Sequence, residues 1–130
     1  ETAEVTAAAS VDSVYWLGVL PSNARLVGEL SKVFYDQLGT TSNTIDIGLF
    51  PIRTGDFTAD DDALRADIST SAASSTVLVS DHASYGKRVW EYINGQTTDP
   101  QCDCLVKATL KDQAAVIGGT ISLQLVWSHG

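Results

Sequence analysis

"CDCLVKATLK" occupies residues 102–111, and its alternation decides how the chain folds. Cys102, Cys104, Val106, Ala108 and Leu110 fall on one side, while Asp103, Lys107, Thr109 and Lys111 fall on the other. Successive side chains of a strand point to opposite faces. The pattern therefore reads as a strand with one face in a core and the other turned outward.

The same period recurs on either side of this stretch. Residues 44–50 set Ile45, Ile47 and Leu49 against Thr44, Asp46 and Gly48, and residues 120–127 set Ile121, Leu123, Leu125 and Trp127 against Ser122 and Gln124. Each reads as a half-buried strand of an antiparallel sheet. Residues 11–20 are apolar on both faces (Val14, Tyr15, Trp16, Leu17, Val19), as in a central strand or one covered by a partner, and they stop at the turn signal Pro21-Ser22-Asn23. In residues 24–35 the inward phase slips, since Leu26 and Leu30 share one parity and Val33 and Tyr35 the other. The slip predicts a β-bulge near Ser31 and Lys32. Residues 76–80 and 85–93 add short strands or extended segments, the second ending at Asn94-Gly95. One stretch departs from the pattern: residues 58–67 begin acidic and continue with good helix formers, which predicts a short helix or turn capped by Thr58 or Asp60, any helix lying near 58–68. Seven or eight short strands at this spacing predict an all-β, single-domain β-sandwich over residues 1–130, jelly-roll-like, with at most one short helix. Residues 1–10 are expected to form an extended N-terminal arm or an edge strand.

A chain of 130 residues buries roughly two-thirds of its extended surface, enough for a core without metals or disulfides. Charged residues make up 18%, below the roughly 25% of an average soluble domain, so a partner is expected to cover part of the surface. The net charge of −8 argues against nucleic acid, which requires a basic face. No run reaches the ~18 apolar residues that span a bilayer and no signal-peptide layout is present, so no membrane partner is expected. Four of the eight basic residues (Lys87, Arg88, Lys107, Lys111) fall within 85–111. They form either a strip that docks on an acidic protein surface or ordinary solvated strand faces.

Candidate chemistry is thin. Cys102 and Cys104 share a strand face, where an i, i+2 disulfide is strained; zinc would need further ligands, and only His82 and His129 are on offer. The pair reads as two small buried hydrophobes. The acidic run Asp56, Asp60, Asp61 and Asp62 is the best calcium candidate, but it lacks EF-hand spacing and reads as a solvated helix N-terminus. Ser80-Asp81-His82 are adjacent, whereas triad partners meet only in the fold. G-x-S-x-G, H-E-x-x-H and a phosphate-cradling loop are missing, and Gly118-Gly119 reads as a turn. No catalytic, cofactor-binding or metal residue is assigned, and no cofactor or enzymatic activity is expected. Tyr15, Trp16, Trp90 and Tyr92 are more aromatics than one small core absorbs. With Lys87 and Arg88 they are the candidate interface residues, because Tyr, Trp and Arg dominate interface hot spots. The same aromatics would serve a carbohydrate- or host-surface-binding module, which is the alternative.

Several phrases, taken in order, point to a family: "YWLGVLPSNARLVGELSKVFYD" (15–36), "TIDIGLF" (44–50), "DALRADIST" (62–70), "YGKRVWEYING" (85–95), "DP" (99–100), "CDCLVKATL" (102–110) and "AAVIGGTISLQLVW" (114–127). This order resembles the head decoration, or cement, proteins of tailed bacteriophages. The chain departs from that pattern at Trp127, where the family more often has Tyr, and in the Cys102/Cys104 pair. The resemblance implies a non-catalytic β-sandwich on the outer surface of the virion capsid. There it would bind the phage major capsid protein and itself, as a homotrimer in preference to a dimer, and stabilise the shell.

Overall fold

Ile45, Ile47 and Leu49 have no exposed surface, and neither do Cys104, Val106 and Ala108. They meet because strand β5 (Thr44–Pro51) pairs antiparallel with β8 (Asp103–Lys111), with Ile45 opposite Leu110, Ile47 opposite Ala108 and Leu49 opposite Val106. In this computed structural model, which describes residues 2–5, 11–28, 30–39, 43–79, 87–112 and 118–128, the pair lies at the centre of a four-stranded sheet. Its edges are β2 (Val14–Pro21) and β6 (Asp60–Ser69), giving the order β2-β8-β5-β6. A second sheet, β1-β9-β4-β7, consists of Thr2–Val5, Gly119–Gln124, Lys32–Tyr35 and Ser74–Val77. A ribbon of β3 (Arg25–Leu26) and β10 (Trp127–Ser128) sits beside them.

The sheets share one hydrophobic cluster. Val5, Val33, Tyr35, Ile121 and Leu123 come from one side, and Leu17, Leu20, Ile45, Ile47, Leu64, Ile68 and Val106 from the other. Leaving out the small ribbon, successive strands fall in the second sheet, the first, the second, twice in the first, then second, first and second again. That is the strand order of a jelly roll, so the expected all-β sandwich of that kind is the fold. Residues 2–5 are an edge strand of the second sheet. The described helical content is one 3-10 turn, Val89–Tyr92, and no described helix is long and apolar enough to cross a membrane.

Three local expectations are corrected. Residues 58–68 are not a helix, because Asp60–Ser69 is edge strand β6, paired with β5. Leu64 and Ile68 are both buried, and a spacing of four fits a strand face as well as a helix face. The phase slip near Ser31 is a strand break and not a bulge: the backbone N–H groups of Leu30 and Ser31 both donate to the Val27 carbonyl in a turn that separates β3 from β4. Segment 11–20 contributes an edge strand, which excludes the central of its two readings and leaves the partner-covered one. Its bulge lies at Leu17, where the register skips from Trp16 to Gly18. Within 85–93, the described part is the 3-10 turn with Lys87 and Arg88 before it. It runs beside residues 22–26, where Val89 N–H donates to the Ala24 carbonyl and Trp90 N–H to that of Ser22. Ser80-Asp81-His82, Tyr85 and His129 lie outside the described residues.

Candidate functional site on one sheet face

The outer face of the β2-β8-β5-β6 sheet is read row by row from its register. One row is Val19, Leu105 and Phe50; the next is Trp16, Lys107 and Gly48; the third is Val14, Thr109 and Asp46. All three rows begin apolar on β2, and only the third ends acidic on β5, at Asp46.

On the β2 side the bulge at Leu17 resets parity, turning Leu17 into the core while Trp16 and Val19 both face out. Val14 is 44% exposed, Trp16 55% and Val19 39%, which is unusual for three large apolar groups on one strand. The Trp16 indole N–H donates to the Gly18 carbonyl at 2.9 Å, which satisfies its one polar atom locally and leaves the ring available. Half-buried Leu105 and Phe50 extend the patch inward, with the Lys107 ammonium 4.9 Å from the Phe50 ring centroid.

The β6 side carries two bulges. Ile45 pairs with Ile68 and Ile47 with Arg65, so Asp46 faces two residues; Asp67 takes the left-handed conformation (φ 57°) and donates its N–H to Asp46 Oδ1 at 2.9 Å. Leu49 then pairs with Asp60, so Gly48 alone faces residues 61–64. The slack brings Asp61 and Asp62 over Asp46, with carboxylate oxygens of all three within 4.8 Å of one another. Burial raises Asp46 above the ordinary carboxylate range. A side-chain hydrogen bond with Asp60, then burial and neighbouring carboxylates, push Asp62 up to about 6. Lys111 Nζ stands 2.8 Å from Asp61 and 3.3 Å from Asp12, and the Asp61 contact helps hold its ammonium charged, up to about 12.

The candidate interface residues lie on two elements, strand β2 and the 3-10 turn with the two residues before it. Trp16 faces out on β2, whereas Tyr15, its chain neighbour, packs against the core. Lys87, Arg88, Trp90 and Tyr92 are together at the 3-10 turn, bound largely to their own chain. Lys87 Nζ lies 5.7 Å from the Tyr92 ring centroid, Arg88 donates to the Asn23 carbonyl at 2.7 Å, and Tyr92 packs on the core. Sequence reasoning passed over Val14 and Val19 as surface groups, although apolarity on both faces of 11–20 was the signal. It also missed the meeting of Asp46 with Asp61 and Asp62, because nothing in a period of two reports a bulge.

Both cysteines are free. Burial, then the neighbouring Cys102, push the Cys104 thiol up to about 12, and Cys102 is raised mainly by burial, so both stay protonated at neutral pH and behave as apolar groups. A cavity of about 600 Å³ beside them is lined by Pro21, Ser22, Asn23, Asp99 and residues 101–103. Ser22 Oγ donates to Asp99 at 2.6 Å and accepts from Cys102 N–H, so the hydroxyl ties the end of β2 to the start of β8. No family model matches this chain, and no curated protein or solved structure does either.

Proposed function

We propose that the chain is a structural virion protein that docks on the outer surface of a tailed-phage icosahedral capsid and stabilises the shell by adding buried interface. The observation that carries this reading is the apolar outer face of edge strand β2, with Val14, Trp16 and Val19 exposed together. Among the described residues no strand pairs with the outer side of β2, and an eight-residue apolar edge of that kind invites pairing, so a chain that keeps one has a use for it. The ordered phrases that resemble cement proteins support the same reading. Jelly rolls occur in viral capsid domains, which agrees at the level of fold analogy alone.

Docking in this way requires no chemical step. Trp16 supplies a rigid apolar anchor, Val14, Val19 and Leu105 exclude water around it, and Lys107 adds a cation inside the patch. The major capsid protein is the partner, and a trimer on the shell multiplies a modest contact through its three linked copies. Carbohydrate binding is the second reading, and it rests on the same Trp16 ring, whose N–H is already satisfied. Co-sedimentation of the purified chain with expanded, undecorated heads tests the proposal: saturable binding that Trp16→Glu abolishes is expected. Absence of binding to heads together with glycan binding through Trp16 would replace it with the second reading.

A further inference from the structure

Thr109 is the only described outer-face residue of β8 that is fully buried, at 3% exposure, and its Oγ1 has no hydrogen-bond partner. A buried hydroxyl without a partner is costly and rare. Thr109 stands directly across from Asp46 in the β8–β5 register, on the face to which the β6 bulge brings Asp61 and Asp62. The unpartnered oxygen and the carboxylate cluster therefore share one side of the sheet. The two observations are independent, since the bulge places the acids and the strand register places the hydroxyl.

Backbone geometry holds the cluster in place. A Cβ at Gly48 would lie 2.2 Å from the Asp60 carbonyl oxygen and 2.5 Å from the Asp61 Cα, so β6 presses on β5 where only glycine fits. The Asp60 carboxylate is engaged by the N–H groups of Asp62 and Asn94, at 3.4 and 2.8 Å, which fixes the start of the bulge. Asp46 Oδ1 accepts from Asp67 N–H. Lys111 pairs with Asp61 of this cluster and also reaches out to Asp12.

The geometry points to a divalent-cation site that takes calcium through the carboxylates of Asp46, Asp61 and Asp62 and the hydroxyl of Thr109. Oxygens bound to one calcium ion at about 2.4 Å lie no more than about 4.8 Å apart, the spread of the three carboxylates, and Thr109 is placed beside them by its register opposite Asp46. The donors are all hard oxygens from three strands in an irregular arrangement, which suits calcium's flexible shell of 6–8 oxygens better than the strict octahedron of magnesium. Water completes the shell. On binding, Lys111 gives up Asp61 and keeps Asp12. This site is independent of the docking face and stands whether or not the chain binds a capsid.

Calorimetric titration of the full chain, stripped with chelator and then given CaCl2 or MgCl2, tests the site. The expected result is one calcium per chain, weaker magnesium binding and a rise in Tm with calcium. Asp62→Asn, at an exposed position that leaves the fold intact by circular dichroism, should weaken calcium about tenfold or more, as should Asp46→Asn. Thr109→Val should weaken it by a smaller factor, and Lys111→Gln should bind at least as tightly as the parent chain. Absence of calcium binding at millimolar concentration would overturn the site, as would undiminished binding by Asp62→Asn. Equal affinity for magnesium would overturn the assignment to calcium.

Discussion

The two edges of the β2-β8-β5-β6 sheet are built in opposite ways. β6 is ten residues long, bulged twice and acidic along its first turn of chain, while β2 is eight residues long, bulged once and apolar on the face it shows to solvent. The edges of the other sheet, β1 and β7, are only four residues each. Short strands, bulges and charges are how sheet proteins keep their edges from pairing with other chains. β1 and β7 are short and β6 is bulged and acidic, whereas β2, despite its one bulge, is long and carries no charged residue. The difference separates an edge protected from contact from one available for it.

The largest effect is expected on the β6 side, from Gly48→Ala. The new Cβ meets backbone and not a flexible side chain, so the bulge must lift, at a cost of about 3 kcal/mol, the upper part of the usual range for overpacking. Urea unfolding measures this. A loss under about 1 kcal/mol would mean that β6 does not press on β5 as described.

On the β2 side the expected pattern is reversed: small in stability and large in binding. Trp16→Ala should change unfolding free energy by no more than about 0.5 kcal/mol, because the ring is over half exposed. Its affinity for heads should fall by about 2 kcal/mol, or roughly thirtyfold, as for an aromatic anchor. Tyr15→Ala should do the opposite, because Tyr15 packs inward. If both variants behaved alike, the division of β2 into inner and outer faces would fail.

These contrasts also show what the sequence could disclose. Ile45, Ile47, Leu49, Cys104, Val106 and Ala108 were legible as core because pairing in these strands is regular and a period of two maps directly onto a face. β6 was not legible, since Leu64 and Ile68 suit helix and strand equally and its bulges leave no periodic trace. For the segment carrying Lys87, Arg88, Trp90 and Tyr92, composition reports residue types and not their partners. In the fold the Asn23 carbonyl and the core take up much of it.

The acidic edge should also show in pH dependence. Asp62 titrates near 6 in the folded chain against 3.8 for a free carboxyl, so the folded form holds the proton more tightly. This group therefore costs stability above about 6, and the cost is relieved as pH falls through 6 toward 3.8. Without divalent cation, Asp62→Asn should raise Tm at pH 7, and its advantage over the parent chain should shrink by pH 4. An advantage that grew on acidification would have the wrong sign. The smallest effect belongs to Thr109→Val. Without calcium it should be neutral or stabilising by up to about 1 kcal/mol, because it removes an unpartnered hydroxyl at nearly constant shape.

The contrast between the edges is tested most directly by hydroxyl-radical footprinting of the chain, free and bound to undecorated heads. Val14, Trp16 and Val19 should become strongly protected on the heads, while the side chains of β6 keep their free-state reactivity. Equal protection of both edges, or unchanged oxidation of Trp16 on saturated heads, would contradict the assignment of β2 as the docking edge.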